Sequence, residues 1–194
     1  MPFIGLTGGI GAGKSTALQA LERLGAATLS TDAVVHELYD SDELRDAVVE
    51  RWGEEVAPNG AVDRNAVAKR AFASDADRAW LEELLWPRVG ARVAAWRAEI
   101  GAMRPAPPAA VVEVPLLFEA GMDDVFDATI AVVADEPVRA ERAAARGHTA
   151  VDERATRQLA QTEKAERATF AVANSGTEEE LQRKLSAILE RVNP

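Results

Sequence analysis

The stretch Gly8-Gly9-Ile10-Gly11-Ala12-Gly13-Lys14-Ser15-Thr16 constrains this chain more than any other. It satisfies the pattern G-x-x-x-x-G-K-[ST], opened by Gly8 and closed by Gly13-Lys14-Ser15. Its flanks agree with it. Phe3, Ile4 and Leu6 form a short apolar run suited to a buried strand. Leu18, Leu21 and Leu24 then repeat at near-helical spacing before Gly25 stops the helix. A strand, a glycine turn and a helix N-terminus together make an anion cradle. The glycines let backbone N–H groups converge on phosphate oxygens, and the positive end of the helix attracts the same charge. The expected ligand is a nucleoside triphosphate held by Gly9, Gly11, Ala12, Gly13 and Thr16. Lys14 would reach its β- and γ-phosphates, and the Ser15 hydroxyl would coordinate Mg²⁺.

With 194 residues the chain has room for one α/β core and a small inserted subdomain, not for two full domains. It holds no cysteine, which excludes disulfides, thiolate metal sites and cysteine nucleophiles and suits a cytoplasmic protein. No signal peptide is expected ahead of the first strand, and no apolar run approaches the ~18 residues of a membrane span. A formal net charge of −10 argues against a nucleic-acid partner. It also requires any triphosphate site to be locally basic within an acidic field.

After Gly25, Ala26–Leu29 reads as a second strand, followed by Ser30-Thr31-Asp32 and a helix over Ala33–Leu38. Any of those three residues can cap the helix, so spacing leaves Asp32 equally available as cap and as general base. Further helices are predicted from Ser41 to Trp52 and from Asp63-Arg64, with Val67, Ala71 and Phe72 on the apolar side of the second. Ser74 and Asp77 resemble a capping box for the next helix, whose stripe is Trp80, Leu81, Leu84 and Leu85 and which Pro87 should interrupt. Val89, Val93, Trp96 and Ile100 continue as one helix face, and the tryptophans read as core.

Ala109–Val114 is a continuous apolar run of the kind buried in a parallel sheet, with Glu113 near its carboxyl end. Ligands of open parallel sheets bind there, so Glu113 could hold Mg²⁺ through water or orient an acceptor, or simply be satisfied by a neighbouring helix. Ala128–Val133 is a further strand. The helix from Pro137 carries Arg139, Arg142 and Arg146 on one face. Beyond Gly147-His148, Thr149 can cap a helix on which Arg157, Gln161 and Lys164 share a side. Two such helices suit a clamp on triphosphate, a role assigned to Arg142, with Arg154 on the surface. Neither His36 nor His148 has metal-site spacing. Phe170–Ala173 is the last strand, and Thr177 caps a final helix with an apolar stripe from Leu181 to Val192.

Taken together, these segments resemble dephospho-CoA kinase. Leu6–Thr16 is similar to that family's LTGGIGSGKS. Asp32 matches the second residue of its Asp-x-Asp, with Ser30 in place of the first. Asp63-Arg64 with Phe72 resembles its "DR…F" segment, and Val114-Pro115-Leu116-Leu117-Phe118-Glu119 its VPLLFE stretch. Arg142 and Arg146 fall at lid arginines, Arg157-x-x-x-Gln161 at R-x-x-x-Q, and Asn174-Ser175-Gly176 at the terminal N-x-G. Trp86-Pro87 stands where the family usually has His-Pro.

The resemblance implies a three-layer P-loop fold with a parallel sheet, a helical substrate-binding insertion and a helical lid. It places the nucleotide-binding core at 1–34, 106–137 and 166–194, a CoA-binding subdomain at 35–105 and the lid at 138–165. It also implies ATP-dependent phosphorylation of the ribose 3′-hydroxyl of dephospho-CoA, with ATP and Mg²⁺ as cofactors, small molecules as partners, and a monomer or weak oligomer. Asp32 would accept the hydroxyl proton, and Lys14 and Arg142 would serve transfer. Arg142, Arg146 and Asn174 would bind nucleotide, and Asp32, Asp63, Arg64, Glu113, Leu116 and Arg157 the acceptor. The rival readings are another small-molecule P-loop kinase, for a nucleoside monophosphate or shikimate, and a regulatory ATPase, which would hydrolyse ATP without an acceptor.

Overall fold

A computed structural model describes residues 1–145 and 158–193. Five parallel strands, β1 (Phe3–Gly8), β2 (Ala27–Ser30), β3 (Ala110–Glu113), β4 (Ala128–Val133) and β5 (Phe170–Ala173), form one sheet in the order β2-β3-β1-β4-β5. The helices are α1 (Lys14–Arg23), α2 (Thr31–Tyr39), α3 (Asp42–Trp52), α4 (Arg64–Ala71), α5 (Asp75–Ala102), α6 (Glu136–Ala145), α7 (Gln161–Arg167) and α8 (Glu178–Val192). The chain divides into two compact units, Met1–Ser30 with Arg97–Pro194, and Thr31–Trp96.

In the sheet unit β1 is central, every residue of it is buried, and its register pairs Leu6 with Glu113 on one side and Gly8 with Val132 on the other. Strands covered on both faces must be apolar throughout, which is why β1, β3 and β4 read as unbroken hydrophobic runs. Ile4, Leu6, Val111, Ile130 and Val132 meet Ala17, Ala20 and Leu21 of α1 and Leu181, Leu185 and Ile188 of α8. The opposite face is covered at Gly5 by Leu117 and Phe126, with α7 packed against β4 and β1. These are the three layers that the resemblance implied. Strand order reverses at β1, so the loop leaving Gly8 opens into the crevice where such sheets bind ligands.

The helical unit has its own small core. Val48, Val56 and Val67 are buried against Tyr39, Trp52, Trp80, Leu81 and Leu84, and the Trp52 and Trp80 rings meet edge to face at 5.0 Å. Its helices start on the expected caps. Ser41 Oγ accepts from Leu44 N, Asp63 Oδ1 from Asn65 N and Ala66 N, and Ser74 Oγ from Asp77 N. Asp77 returns the contact to the Ser74 hydroxyl and receives the Arg51 guanidinium at 2.9 Å. The Arg51 hydrogen bond, then that of Ser74, holds the Asp77 carboxyl below its usual range.

Three expectations need correction. Pro87 does not interrupt its helix: α5 runs unbroken for 28 residues with Pro87 inside it. The proline forfeits one backbone hydrogen bond and costs ~3 kcal/mol locally. The apolar stripe stays in phase across it, with Leu85 and Trp96 both buried, and that burial outweighs the local cost. Trp86 is not core; it is 57% exposed. Lys164 does not stand on an exposed helix side. α7 begins only at Gln161, after a non-helical stretch at 158–160, and Lys164 is fully buried. The helix predicted after Thr149, with Arg154, lies outside the described residues, as do Arg146, Gly147, His148 and Arg157.

Candidate active site

The glycine loop is shaped by what surrounds it. Gly13 sits at φ 90°, ψ 35°, where a side chain is strained, and a Cβ there would collide with the Asn174 amide. At Gly11 a Cβ would run into the Arg139 carbonyl of α6. Inside the loop Ala12 N donates to Gly9 O at 3.2 Å, closing a tight turn. Lys14, on the first turn of α1, folds its ammonium back onto the Gly8 and Gly9 carbonyls at 3.0 and 3.2 Å. Ser15 is exposed beside it and Thr16 half-buried.

Asn174, at the end of β5, is the buried keystone of the loop. Its backbone N donates to Val133 O at 2.7 Å, its Nδ2 to Ala12 O at 2.9 Å, and its carbonyl receives Arg142 Nη1 at 2.9 Å. Asn174, Arg142 and the Ala12–Gly13 peptide therefore form one contiguous group. A peptide is planar and trans, so its C=O and N–H point in opposite directions. Pinning Ala12 O to Asn174 fixes where the Gly13 N–H points.

Two further residues belong to this site that the sequence reading left out of it. Arg139 donates through Nε to Ile10 O at 3.1 Å and pairs through Nη1 with Glu136 at 2.7 Å. Its signal was visible: it stands three residues before Arg142 on the same helix face. Gln158 accepts from Ile10 N at 3.2 Å, a contact across 148 residues that no local pattern could announce. Gly9, Ile10, Glu136, Arg139, Gln158 and Gln161 line a cleft of about 390 Å³. The loop thus carries three cations, Lys14, Arg139 and Arg142, each resting on backbone carbonyls. That is the local positive charge an acidic protein needs in order to hold a polyanion.

Glu113 ends β3, is 6% exposed and already has a partner. Leu116 lies half-buried in the turn that follows, where its carbonyl accepts from Ala120 N. The remaining expected residues belong to the helical unit. Asp63 is the cap of α4, and Arg64 is exposed on that helix's first residue. Asp32 is not a cap. α2 begins at Thr31, and the exposed Asp32 carboxylate has no hydrogen-bond or ion-pair partner among the described residues. Of the two readings of Asp32, cap and general base, the cap is excluded. Among the described residues no helix is long and apolar enough to cross a membrane.

The dephospho-CoA kinase family model matches residues 2–180. A dephospho-CoA kinase of Geobacter sulfurreducens is 35% identical over 193 residues, covering 97% of both chains. One from Mycolicibacterium paratuberculosis is 40% identical over 198 residues, and this chain spans 47% of that longer relative. Among solved structures, a crystal structure from Thermus thermophilus superposes with a TM-score of 0.81 at 31% identity, covering 100% of this chain and 98% of that one. With a nucleotide loop so built and likeness along nearly the whole chain, this protein belongs to the dephospho-CoA kinase family.

Proposed function

We propose that this chain transfers the γ-phosphoryl group of ATP to the ribose 3′-hydroxyl of dephospho-CoA, giving coenzyme A. The observation that carries the proposal is the loop itself, with Lys14 and Arg142 converging on backbone that Asn174 holds in shape. Phosphoryl transfer asks a protein mainly for positioning and for neutralisation of charge on the moving group. Lys14 would exchange the Gly8 and Gly9 carbonyls for phosphate oxygens. Arg142, beside Gly13, would neutralise charge on the phosphates, with Arg146 and Arg157 assigned to the same lid at 138–165. The N–H groups of Gly9, Gly11, Ala12 and Gly13 and of Lys14 through Thr16 would cradle the chain.

Mg²⁺ fits the donor chemistry here. It prefers hard oxygens and is commonly held by one or two protein ligands together with phosphates and water, and the Ser15 hydroxyl is exposed at the start of α1. When bound, the ion neutralises charge on the phosphates. Asp32, an exposed carboxylate without a partner among the described residues, is assigned the acceptor's proton. Asp63, Arg64, Glu113, Leu116 and Arg157 are assigned to dephospho-CoA, with the helical segment 35–105 as its subdomain. The enzyme would work in the cytoplasm as a monomer or weak oligomer, where ATP and its acceptor are dissolved.

The test is ADP release by the purified protein with ATP and Mg²⁺, with and without dephospho-CoA, and the mass of the product. The proposal expects acceptor-dependent ADP release and one added phosphate. Turnover only with a different hydroxyl compound would make it another small-molecule kinase. Hydrolysis indifferent to any acceptor would make it a regulatory ATPase.

A further inference from the structure

Lys164 is fully buried, and neither the P-loop nor the arginines of α6 account for it. Its Nζ lies 2.8 Å from Glu119 Oε1 and donates to Pro115 O at 2.7 Å, a carbonyl that also receives Thr7 Oγ1 at 3.3 Å. Glu119 Oε1 accepts from Leu159 N at 2.8 Å, while its Oε2 is buried with no hydrogen-bond partner among the described residues. Burying two charges is unfavourable even when they are paired, and a well-packed apolar pair often serves stability as well or better. An orphaned carboxylate oxygen raises the penalty further. Such a pair is poorly explained by stability alone.

Its neighbours suggest its use. Glu119 fixes Leu159, and the adjacent Gln158 accepts from Ile10 N in the glycine loop. The Gly9–Ile10 peptide is planar, so fixing its N–H fixes the opposite direction of the Gly9 carbonyl. That carbonyl holds Lys14 Nζ. The other arm of the pair, at Pro115 O, holds the turn that carries Leu116.

We propose that Glu119 and Lys164 are positioning residues for phosphoryl transfer. The pair sets the Gly9–Ile10 peptide through Leu159 and Gln158, and thereby the resting place of the Lys14 ammonium. This rests on the kinase reading above and extends it to a buried charge pair that touches neither substrate.

The decisive variant is the apolar double replacement Glu119→Leu/Lys164→Met, compared with Lys164→Arg and with Gln158→Ala alone. Each is assayed for melting temperature, kcat, and KM for ATP. A displacement of ~1 Å at a reacting group can cost ~100-fold. The double replacement should therefore keep the parental melting temperature while kcat falls at least ~10-fold, with a smaller change in KM for ATP. Lys164→Arg should restore part of the rate. Gln158→Ala should lower kcat similarly without touching the pair. Added to the double replacement it should cost nothing more, because all three act along one path.

A double replacement that transfers phosphate at the parental rate overturns the proposal, as does full additivity with Gln158→Ala. Should the double replacement fail to fold, Gln158→Ala decides alone: parental kcat overturns the proposal. A parent protein that does not phosphorylate dephospho-CoA would tell against the kinase reading instead.

Discussion

Asn174→Ala tests the claim that the loop is held from behind by a buried amide. The substitution removes Nδ2 and leaves every backbone contact in place, including Asn174 N to Val133 O and the Arg142 bond to Asn174 O. What is lost is the 2.9 Å bond to Ala12 O. Ala12 is 0% exposed and Asn174 4% exposed, so water does not readily replace the missing donor. A hydrogen bond contributes ~0.5–1.5 kcal/mol net, and an orphaned buried acceptor costs ~1–3 kcal/mol. A loss of about 2 kcal/mol is expected, which for a chain of this size lowers the melting temperature by about 4–8 °C. The Ala12–Gly13 peptide would also be free to turn, taking the Gly13 N–H off its phosphate target. Losing about 1.4 kcal/mol of that contact weakens ATP binding about tenfold. Asn174→Asp, which places an acceptor against an acceptor, should do at least as much harm. Thermal melts by circular dichroism and ATP titration by calorimetry measure both effects. If Asn174→Ala melts within about 1 °C of the parent and binds ATP equally well, the amide does not hold the loop.

Three further outcomes are expected. Asp32→Asn should keep ATP affinity while phosphotransfer falls by ~10²–10⁴, the range for a general base; transfer at the parental rate would deny Asp32 that role. Asp63→Ala should cost ~1 kcal/mol through the lost cap of α4, and Asp63→Ser should restore it. An unchanged KM for dephospho-CoA in the Ser variant would leave Asp63 a cap only. Because Arg51 and Ser74 hold the Asp77 carboxyl below its ordinary value near 3.8, its contribution to stability is fully present above that value. It is lost as pH falls through the lowered folded-state value. Asp77→Asn should therefore lower stability at neutral pH and make acid unfolding shallower at the acid end, read from melts between pH 2 and 7.

What was legible in the sequence was whatever is local. The strand–loop–helix around Gly8–Thr16, the runs that became β3, β4 and β5, and the caps Ser41, Asp63 and Ser74 all depend on residues within one turn or one strand of each other. The cap-or-base question at Asp32 stayed open because three adjacent residues offered equally good caps. The cap half of it closed once α2 was seen to begin at Thr31; the base half is what Asp32→Asn tests. Pro87 misled because a local penalty of ~3 kcal/mol was outweighed by burial that only the fold reveals. Lys164 misled for the opposite reason. On a helix its spacing looks like part of a clamp face with Gln161, and only the fold brings Glu119, 45 positions earlier in the chain, within 2.8 Å of it.

The same contrast explains how a chain of net charge −10 can serve a polyanion. Composition counts charges, whereas a site depends on where they are held. Lys14, Arg139 and Arg142 rest on the carbonyls of Gly8, Gly9, Ile10 and Asn174. Those carbonyls are weaker acceptors than phosphate, although Arg139 is also paired with the Glu136 carboxylate at 2.7 Å. Arrival of a triphosphate then exchanges carbonyls for charged oxygens, and charge-assisted bonds are roughly twice as strong as neutral ones. A net acidic chain and a basic loop are compatible because the cations are held locally, on the carbonyls of Gly8, Gly9, Ile10 and Asn174.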